Sequence, residues 1–184
     1  MAYIVPYDIS QLALAGSRAP ELETLMLLKT GLPETYTVFH SVHWSRSYKG
    51  GTSFGELDFV VINQTGDVLI IEQKNGRLAE TDQGLVKAYS DSEKNVGDQL
   101  RRSHEKVREK FKWQHGQDRP LNLDCLIYCP DHNLINLNAV GIDADRIVDA
   151  KSGDQLSAKI QALLGDRKSS DQKWSDLVEG FFRQ

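Results

Sequence analysis

The sequence predicts an α/β layered domain, and three observations predict it. Apolar, β-branched runs at 57–62 and 68–71 are separated by Asn63-Gln64-Thr65-Gly66, the pattern of a β-hairpin. An amphipathic helix follows at 95–112, where Val96, Leu100, Ser103, Val107 and Phe111 recur at steps of four and three. The order helix, three strands, helix, strand and mixed tail is that of a sheet covered by helices. The hairpin makes that sheet mixed rather than purely parallel.

Each element has its own signal. Residues 20–32 read as a helix, with Pro20 suited to the first turn, Leu22, Leu25, Met26 and Leu28 as an apolar side, and Gly31 and Pro33 to end it. Strand-forming residues run from Tyr36 to Trp44, and a Gly-rich polar loop from Ser45 to Ser53 leads into the hairpin. After Gly76, residues 77–94 read as a charged connection with turns at Gly84 and Tyr89-Ser90-Asp91. Leu123 to Cys129 is a strand closed by Pro130-Asp131, and Arg146-Ile147-Val148 a short one between Gly141 and Gly153. Two helices finish the chain, one marked by Leu156, Ile160, Leu163 and Leu164, the other by Trp174, Leu177, Val178, Phe181 and Phe182. The apolar stripe of the last helix is expected to pack on the domain's own core. With 184 residues and 40% hydrophobic content, one domain spanning 1–184 is expected, the helices at about 155–183 packing on it.

Composition narrows the setting. No apolar run is long enough to span a bilayer, and the N-terminus lacks the basic start and apolar core of a signal peptide. Cys125 and Cys129 share one face of a strand at roughly 13 Å, too far for a disulfide. Buried reduced thiols, and with them a cytoplasmic location, are the expectation. A formal net charge of −4 argues against tight, sequence-independent DNA binding by this domain alone, although Arg101, Arg102, Lys106, Arg108, Lys110 and Lys112 cluster on one helix.

The hairpin carries the chemistry. Its first strand opens with Asp58 and its second closes with Glu72 and Lys74. In an antiparallel pair these ends are neighbours, and alternation points Glu72 and Lys74 the same way with Gln73 opposite. Two acids and a lysine at the rim of an apolar ribbon form a Mg²⁺ site with a cation beside it, since Mg²⁺ keeps several waters and needs only one or two carboxylates. Such an ion neutralises phosphate and lowers the pKa of a bound water. Lys74 beside two carboxylates is expected to stay protonated and to act electrostatically. The competing reading is a surface salt bridge, worth about 0–1 kcal/mol.

The stretch 55–62, with 68–76, resembles the nuclease-related domain (NERD) family of the PD-(D/E)xK, restriction-endonuclease-like superfamily. The resemblance rests on Gly55-Glu56-Leu57-Asp58-Phe59-Val60-Val61-Ile62 and on Val68-Leu69-Ile70-Ile71-Glu72-Gln73-Lys74-Asn75-Gly76. It extends over roughly residues 15–130 and includes an acid on the first helix, for which Glu21 is the best match and Glu23 its rival. Asn95 and Gln99 match the start of the next helix, with Val96 where the family has proline. Gln73 stands where a small or apolar residue is common, which leaves open how its amide is satisfied.

The resemblance implies a restriction-endonuclease-like three-layer core and a Mg²⁺- or Mn²⁺-dependent nuclease acting on DNA. It makes Asp58 and Glu72 metal ligands and Lys74 the catalytic lysine. Glu21 would touch the metal directly or through water, and Gln99 would approach from the long helix. The backbone carbonyl of Gln73 is a reasonable further oxygen ligand. Glu56 is either a support to this set or simply solvated. Fusion to superfamily-1 helicases, frequent in such families, raises a helicase domain in the same longer chain as a partner. The alternative is a non-catalytic docking module that keeps the fold; nothing in the sequence selects DNA over RNA by its sugar.

Other candidates read as structural. His40 and His43 fall on opposite faces of a strand, and His104, His115 and His132 show no metal-ligand spacing. Glu105 and Glu109 interleave with the cations of the long helix, as on a solvated face. Gly50-Gly51 is followed by no Gly-Lys-Ser/Thr and is not a phosphate cradle.

Overall fold

The computed structural model describes the chain except for residues 10, 11, 13–18, 49, 50, 91, 137–141, 166–170 and 184, and gives the backbone alone at 46–48 and 51–53. A six-stranded mixed sheet lies between two pairs of helices. Its strands are β1 (Tyr3–Val5), β2 (Thr37–Tyr48), β3 (Gly51–Ile62), β4 (Val68–Gln73), β8 (Leu123–Cys129) and β9 (Ile147–Asp149), side by side in that order. The pairings β2–β3 and β3–β4 are antiparallel, and β1–β2, β4–β8 and β8–β9 are parallel.

One face is covered by α1 (Ala19–Gly31) and α3 (Leu156–Leu164), the other by α2 (Val96–His115) and α4 (Gln172–Phe182). Leu25, Leu28, Leu156 and Ile160 pack with Val61, Leu69 and Ile71 on the first face. Val96, Leu100, Val107, Phe111, Val178, Phe181 and Phe182 pack with Val60, Ile62, Val68 and Ile70 on the second. Strand β4 is buried on both faces, which explains its continuous apolar run. The helices α1 and α3 approach closely at Gly31, where a Cβ would fall 2.2 Å from Ser157 Oγ. The apolar stripe of α4 lies on the domain's own core, with Phe181 and Phe182 meeting edge to face.

The hairpin turn is closed by Asn63. Its Oδ1 accepts from the N–H groups of Thr65 and Asp67, and its Nδ2 donates to the Leu164 carbonyl at the end of α3 at 2.9 Å. Gly66 supplies the positive φ that the turn requires.

Four expectations need correction. The segment 45–53 is not a loop where it is described: β2 runs on to Tyr48 and β3 starts at Gly51, paired as a long ribbon (Lys49 and Gly50 lie outside the described residues). Residues 77–94 are not a plain connection but carry a second sheet, β5 (Ala79–Thr81), β6 (Gly84–Ala88) and β7 (Glu93–Asn95); Gly84, expected as a turn, opens β6 after a turn at Asp82-Gln83, and Asp91 of the other expected turn lies outside the described residues. Met26 is exposed, because α1 buries only Thr24, Leu25 and Leu28. Cys129 is buried but Cys125 only half so; both are free thiols. Burial raises the Cys129 thiol to about 12. Gly141, read as punctuation before β9, lies outside the described residues.

The second sheet leads directly into α2. Asn95 ends β7 and caps the helix, its Oδ1 accepting from Asp98 N–H at 3.0 Å and its Nδ2 donating to the Gln83 carbonyl. Asn95→Ala is expected to cost about 1 kcal/mol, read as a melting temperature lower by about 2–4 °C. No described helix is long and apolar enough to cross a membrane.

Candidate active site

The site forms where β3 and β4 part. Their ladder runs from Ile62–Val68 to Phe59–Ile71 and stops one rung short of Asp58 and Glu72. Strand β4 remains paired with β8 through Gln73. In place of the missing rung, the Gln73 N–H donates to Asp58 Oδ2 at 2.8 Å.

A second break lies on the other side of Asp58. In β2–β3 the rungs at His40–Phe59 and Val42–Leu57 are present, while that between Ser41 and Asp58 is missing. Ser41 has φ +55, a left-handed value that costs a non-glycine residue energy. Alternation slips here. Leu57 joins the core under α2 and α4, while Phe59, two residues on, joins the core under α1 and α3. In a regular strand they would share a face. The slip lets Asp58 be approached from both faces of the sheet.

From the α2 face comes Glu72, only 1% exposed. Its Oε1 accepts from Gln99 Nε2 at 2.6 Å and from Lys74 Nζ in a short ion pair. Its Oε2 is buried with no hydrogen-bond partner. Lys74 is also buried, and its backbone N–H donates to the Tyr128 carbonyl. Burial is the largest single effect and opposes its charge, but the Glu72 carboxylate, with Asp58 and Tyr89 adding to it, holds Lys74 above its ordinary pKa.

From the α1 face comes Glu21, whose negative charge reaches Asp58. Two contacts fix it. His40 Nε2 lies 3.2 Å from Glu21 Oε2, with the imidazole fully buried against Phe59. Gln73 Nε2 donates to the carbonyl of Pro20, the preceding residue, at 3.2 Å and to Asn75 Oδ1 at 3.0 Å. The polar side chain between Glu72 and Lys74 thus ties the first turn of α1 to the end of β4. Glu23 is exposed on another side of α1, close to Tyr128 and Asp131.

Crowded carboxylates leave a clear electrostatic mark. Burial first, and then the Glu72 charge, raise Asp58 from 3.8 to about 7, against the lowering effect of the Gln73 N–H and Lys74. Among the described residues no group of three or more His, Cys, Asp and Glu side chains is gathered as a metal cage. Asp58 and Glu72 are therefore a pair, with Glu21 further out.

Of the residues singled out from sequence, Asp58, Glu72, Gln73, Lys74 and Gln99 come together, and Glu21 faces them across Asp58. Glu56 does not join them: it is half-exposed, accepts from the Ser41 hydroxyl and lies 4.0 Å from His43. Sequence reasoning misses His40 and Ser41. The signal for His40 is a polar residue between the buried Phe39 and the Asp58 strand; a left-handed Ser41 leaves no sequence signal.

A helix–sheet–helix domain with a buried acid pair and a lysine at the parting of two antiparallel strands is the class that fold and site define. The sequence matches the family model of the nuclease-related domain over residues 17–136, well over half of the chain, and the chain belongs to that family. Comparison with curated proteins gives no match. Among solved structures it is similar to the crystal structure of protein VC1899 from Vibrio cholerae, at 13% identity and a TM-score of 0.44. That similarity covers 78% of this chain and 33% of the other, so the chain spans about a third of the length of that protein.

Proposed function

We propose that this domain is a metal-dependent nuclease that hydrolyses phosphodiester bonds of DNA at the Asp58–Glu72–Lys74 site. The observation that carries the reading is the buried Glu72 carboxylate, one oxygen engaged by Lys74 and Gln99 and the other without a partner beside Asp58. A buried unpartnered carboxylate oxygen is costly unless something binds it. Two acids face one ammonium, and after burial it is the Glu72 charge that most raises the Asp58 carboxyl.

This donor set fits a hard divalent cation. Asp58, Glu72 and the Gln73 carbonyl would hold Mg²⁺ or Mn²⁺, with Glu21 acting through water; oxygen ligands and retained waters are what such ions prefer. In an extended residue the N–H and C=O leave on the same side, so the Gln73 carbonyl lies on the side from which its N–H reaches Asp58. When bound, the cation supplies charge neutralisation and an acidified water.

The chain's own groups do the rest. Gln99 and Lys74 fix Glu72 Oε1, so Oε2 keeps one orientation. Lys74, held protonated, offers Nζ to negative charge that builds on the phosphate, an interaction stronger in the transition state than in the ground state. His40 and the Gln73 amide hold Glu21 on the far side of Asp58, where its carboxylate can accept a proton from water.

The test is cleavage of single- and double-stranded DNA with Mg²⁺ or Mn²⁺. The wild-type protein is expected to cleave and Asp58→Ala to be inactive. Equal cleavage by the two would place the chemistry elsewhere, and no cleavage of any DNA by the wild type would leave the fold as a docking module.

A further inference from the structure

We infer that the groove between α2 and the β2–β3 ribbon binds a single-stranded segment of the DNA, stacking a base on Phe54 and leading the strand to the site past Gln99. The inference rests on the nuclease reading for its substrate, but apart from Gln99 it stands on residues outside that site.

The groove encloses about 520 Å³, with Trp44 and Phe54 of the ribbon on one wall and Gln99, Arg102 and Lys106 of α2 on the other. Gln99 belongs to both places, because its amide lines the groove and also donates to Glu72 Oε1. One residue therefore separates the groove from the acid pair.

Phe54 is out of place as a core residue. The chain has six phenylalanines. Phe39, Phe59, Phe111, Phe181 and Phe182 are all buried, while Phe54 is 76% exposed. Leaving a ring of this size in water has no folding benefit, whereas an exposed aromatic face beside cations is what a nucleic-acid base stacks on. Trp44 serves a different purpose: it lies on Gly55, where any Cβ would strike the indole, and Lys106 Nζ sits 4.7 Å from its ring. That sandwich holds the ribbon against α2 and gives the groove a firm wall.

The charges in the groove are balanced in number but not in engagement. Asp98 is paired with Arg101 at 3.2 Å, and Glu56 accepts from Ser41. Among the described residues Arg102 and Lys106 have no carboxylate partner; Glu93 at the β7 end and Glu56, whose charge the Ser41 hydroxyl does not cancel, oppose them from outside the α2 wall. Paired acids repel a phosphate weakly, and unpaired cations attract it, so the α2 wall favours a polyanion despite the net charge of −4. A duplex keeps its bases stacked inside and offers Phe54 no base face, which selects a single strand.

Binding of labelled oligothymidylate, followed by fluorescence anisotropy in EDTA where hydrolysis cannot compete, tests this. Wild-type protein is expected to bind it more tightly than a duplex of the same length and no more weakly than oligouridylate. Phe54→Ala should weaken binding about tenfold and Phe54→Trp restore it. Arg102→Glu should weaken it and lower the salt dependence by about one phosphate contact or more. Both residues are exposed, and unchanged melting temperatures will show that the variants fold. Binding indifferent to Phe54→Ala and Arg102→Glu, or preference for duplex or RNA, overturns the inference. Because binding is read without turnover, the two readings fail separately. An inactive protein whose binding falls in Phe54→Ala keeps the groove and loses the nuclease, and an active one with indifferent binding does the reverse.

Discussion

Asp58→Asn is expected to make the metal-free protein more stable above pH 7 and to abolish its stabilisation by Mn²⁺. Burial and the Glu72 charge raise Asp58 from 3.8 in an unfolded chain to about 7. Between these values the folded state holds a proton that the unfolded state has lost, so stability falls as pH rises through that window and levels off above it. The loss amounts to roughly 4 kcal/mol at most, at about 1.4 kcal/mol for each pH unit that the window spans. An amide in the same place carries no charge to desolvate and can still accept the Gln73 N–H. It must bury its own polar amide, so the net gain at pH 8 should be about 1–2 kcal/mol, or about 2–8 °C in melting temperature. As pH falls from 8 toward 4 the wild type regains its roughly 4 kcal/mol and the order should reverse, leaving Asp58→Asn the less stable by about 2–3 kcal/mol. At pH 8 added Mn²⁺ also reverses their order, because at a hundred times its dissociation constant a ligand stabilises by about 2.7 kcal/mol and only the wild type retains both acids. Thermal melts at pH 5 and pH 8, with EDTA and with Mn²⁺, measure all of this. A variant less stable than wild type at pH 8, or one that responds equally to Mn²⁺, would show that Asp58 is neither strained by its charge nor a ligand.

The site was legible where charge interrupts an apolar pattern. Asp58, Glu72 and Lys74 stand beside runs of β-branched residues that can only be interior strands, and acids in such places need a reason. Asn95 and Gln99 were legible through the family resemblance at the start of the long helix, and the helix period allows Gln99 at the edge of the buried stripe. What escaped was structure whose cause is not periodic. The strands β5 and β7 have three residues each, too few to establish alternation, and include the charged Glu80, Glu93 and Lys94. Residues 45–53 are Gly-rich and polar in sequence and read as a loop, although β2 and β3 stay in register out to Tyr48 and Gly51. The slip at Ser41 and Asp58 depends on a left-handed φ that any period-two reading assumes away. Yet that slip is what opens Asp58 to Glu21 as well as to Glu72. Gln73 shows the same limit from the other side: its polarity was visible, but its partner, the Pro20 carbonyl, is 53 residues earlier in the chain.

Lys74 is needed for stability as well as for the proposed chemistry, and a double-mutant cycle separates the two. Glu72 is 1% and Lys74 8% exposed, so each is the other's main charge compensation in the interior. Removing one partner of a buried pair leaves an uncompensated charge and costs about 3–5 kcal/mol, whereas replacing both is frequently close to neutral. Lys74→Met should accordingly unfold far below the wild-type temperature in the absence of metal, because Glu72 keeps only the Gln99 amide. Glu72→Gln should be destabilised as well, with the Lys74 ammonium stranded beside Asp58. The double variant Glu72→Gln/Lys74→Met should recover much of the loss, giving a coupling energy of about 2–4 kcal/mol. Failure of Lys74→Met to cleave DNA is therefore ambiguous by itself, since an unfolded domain also cleaves nothing. The informative protein is the double variant: folded by its melting curve and inactive, it would locate the chemistry in this pair. Single variants as stable as wild type would mean that solvent already screens the pair. A folded double variant that still cleaves would remove Glu72 and Lys74 from the reaction while leaving the fold as described.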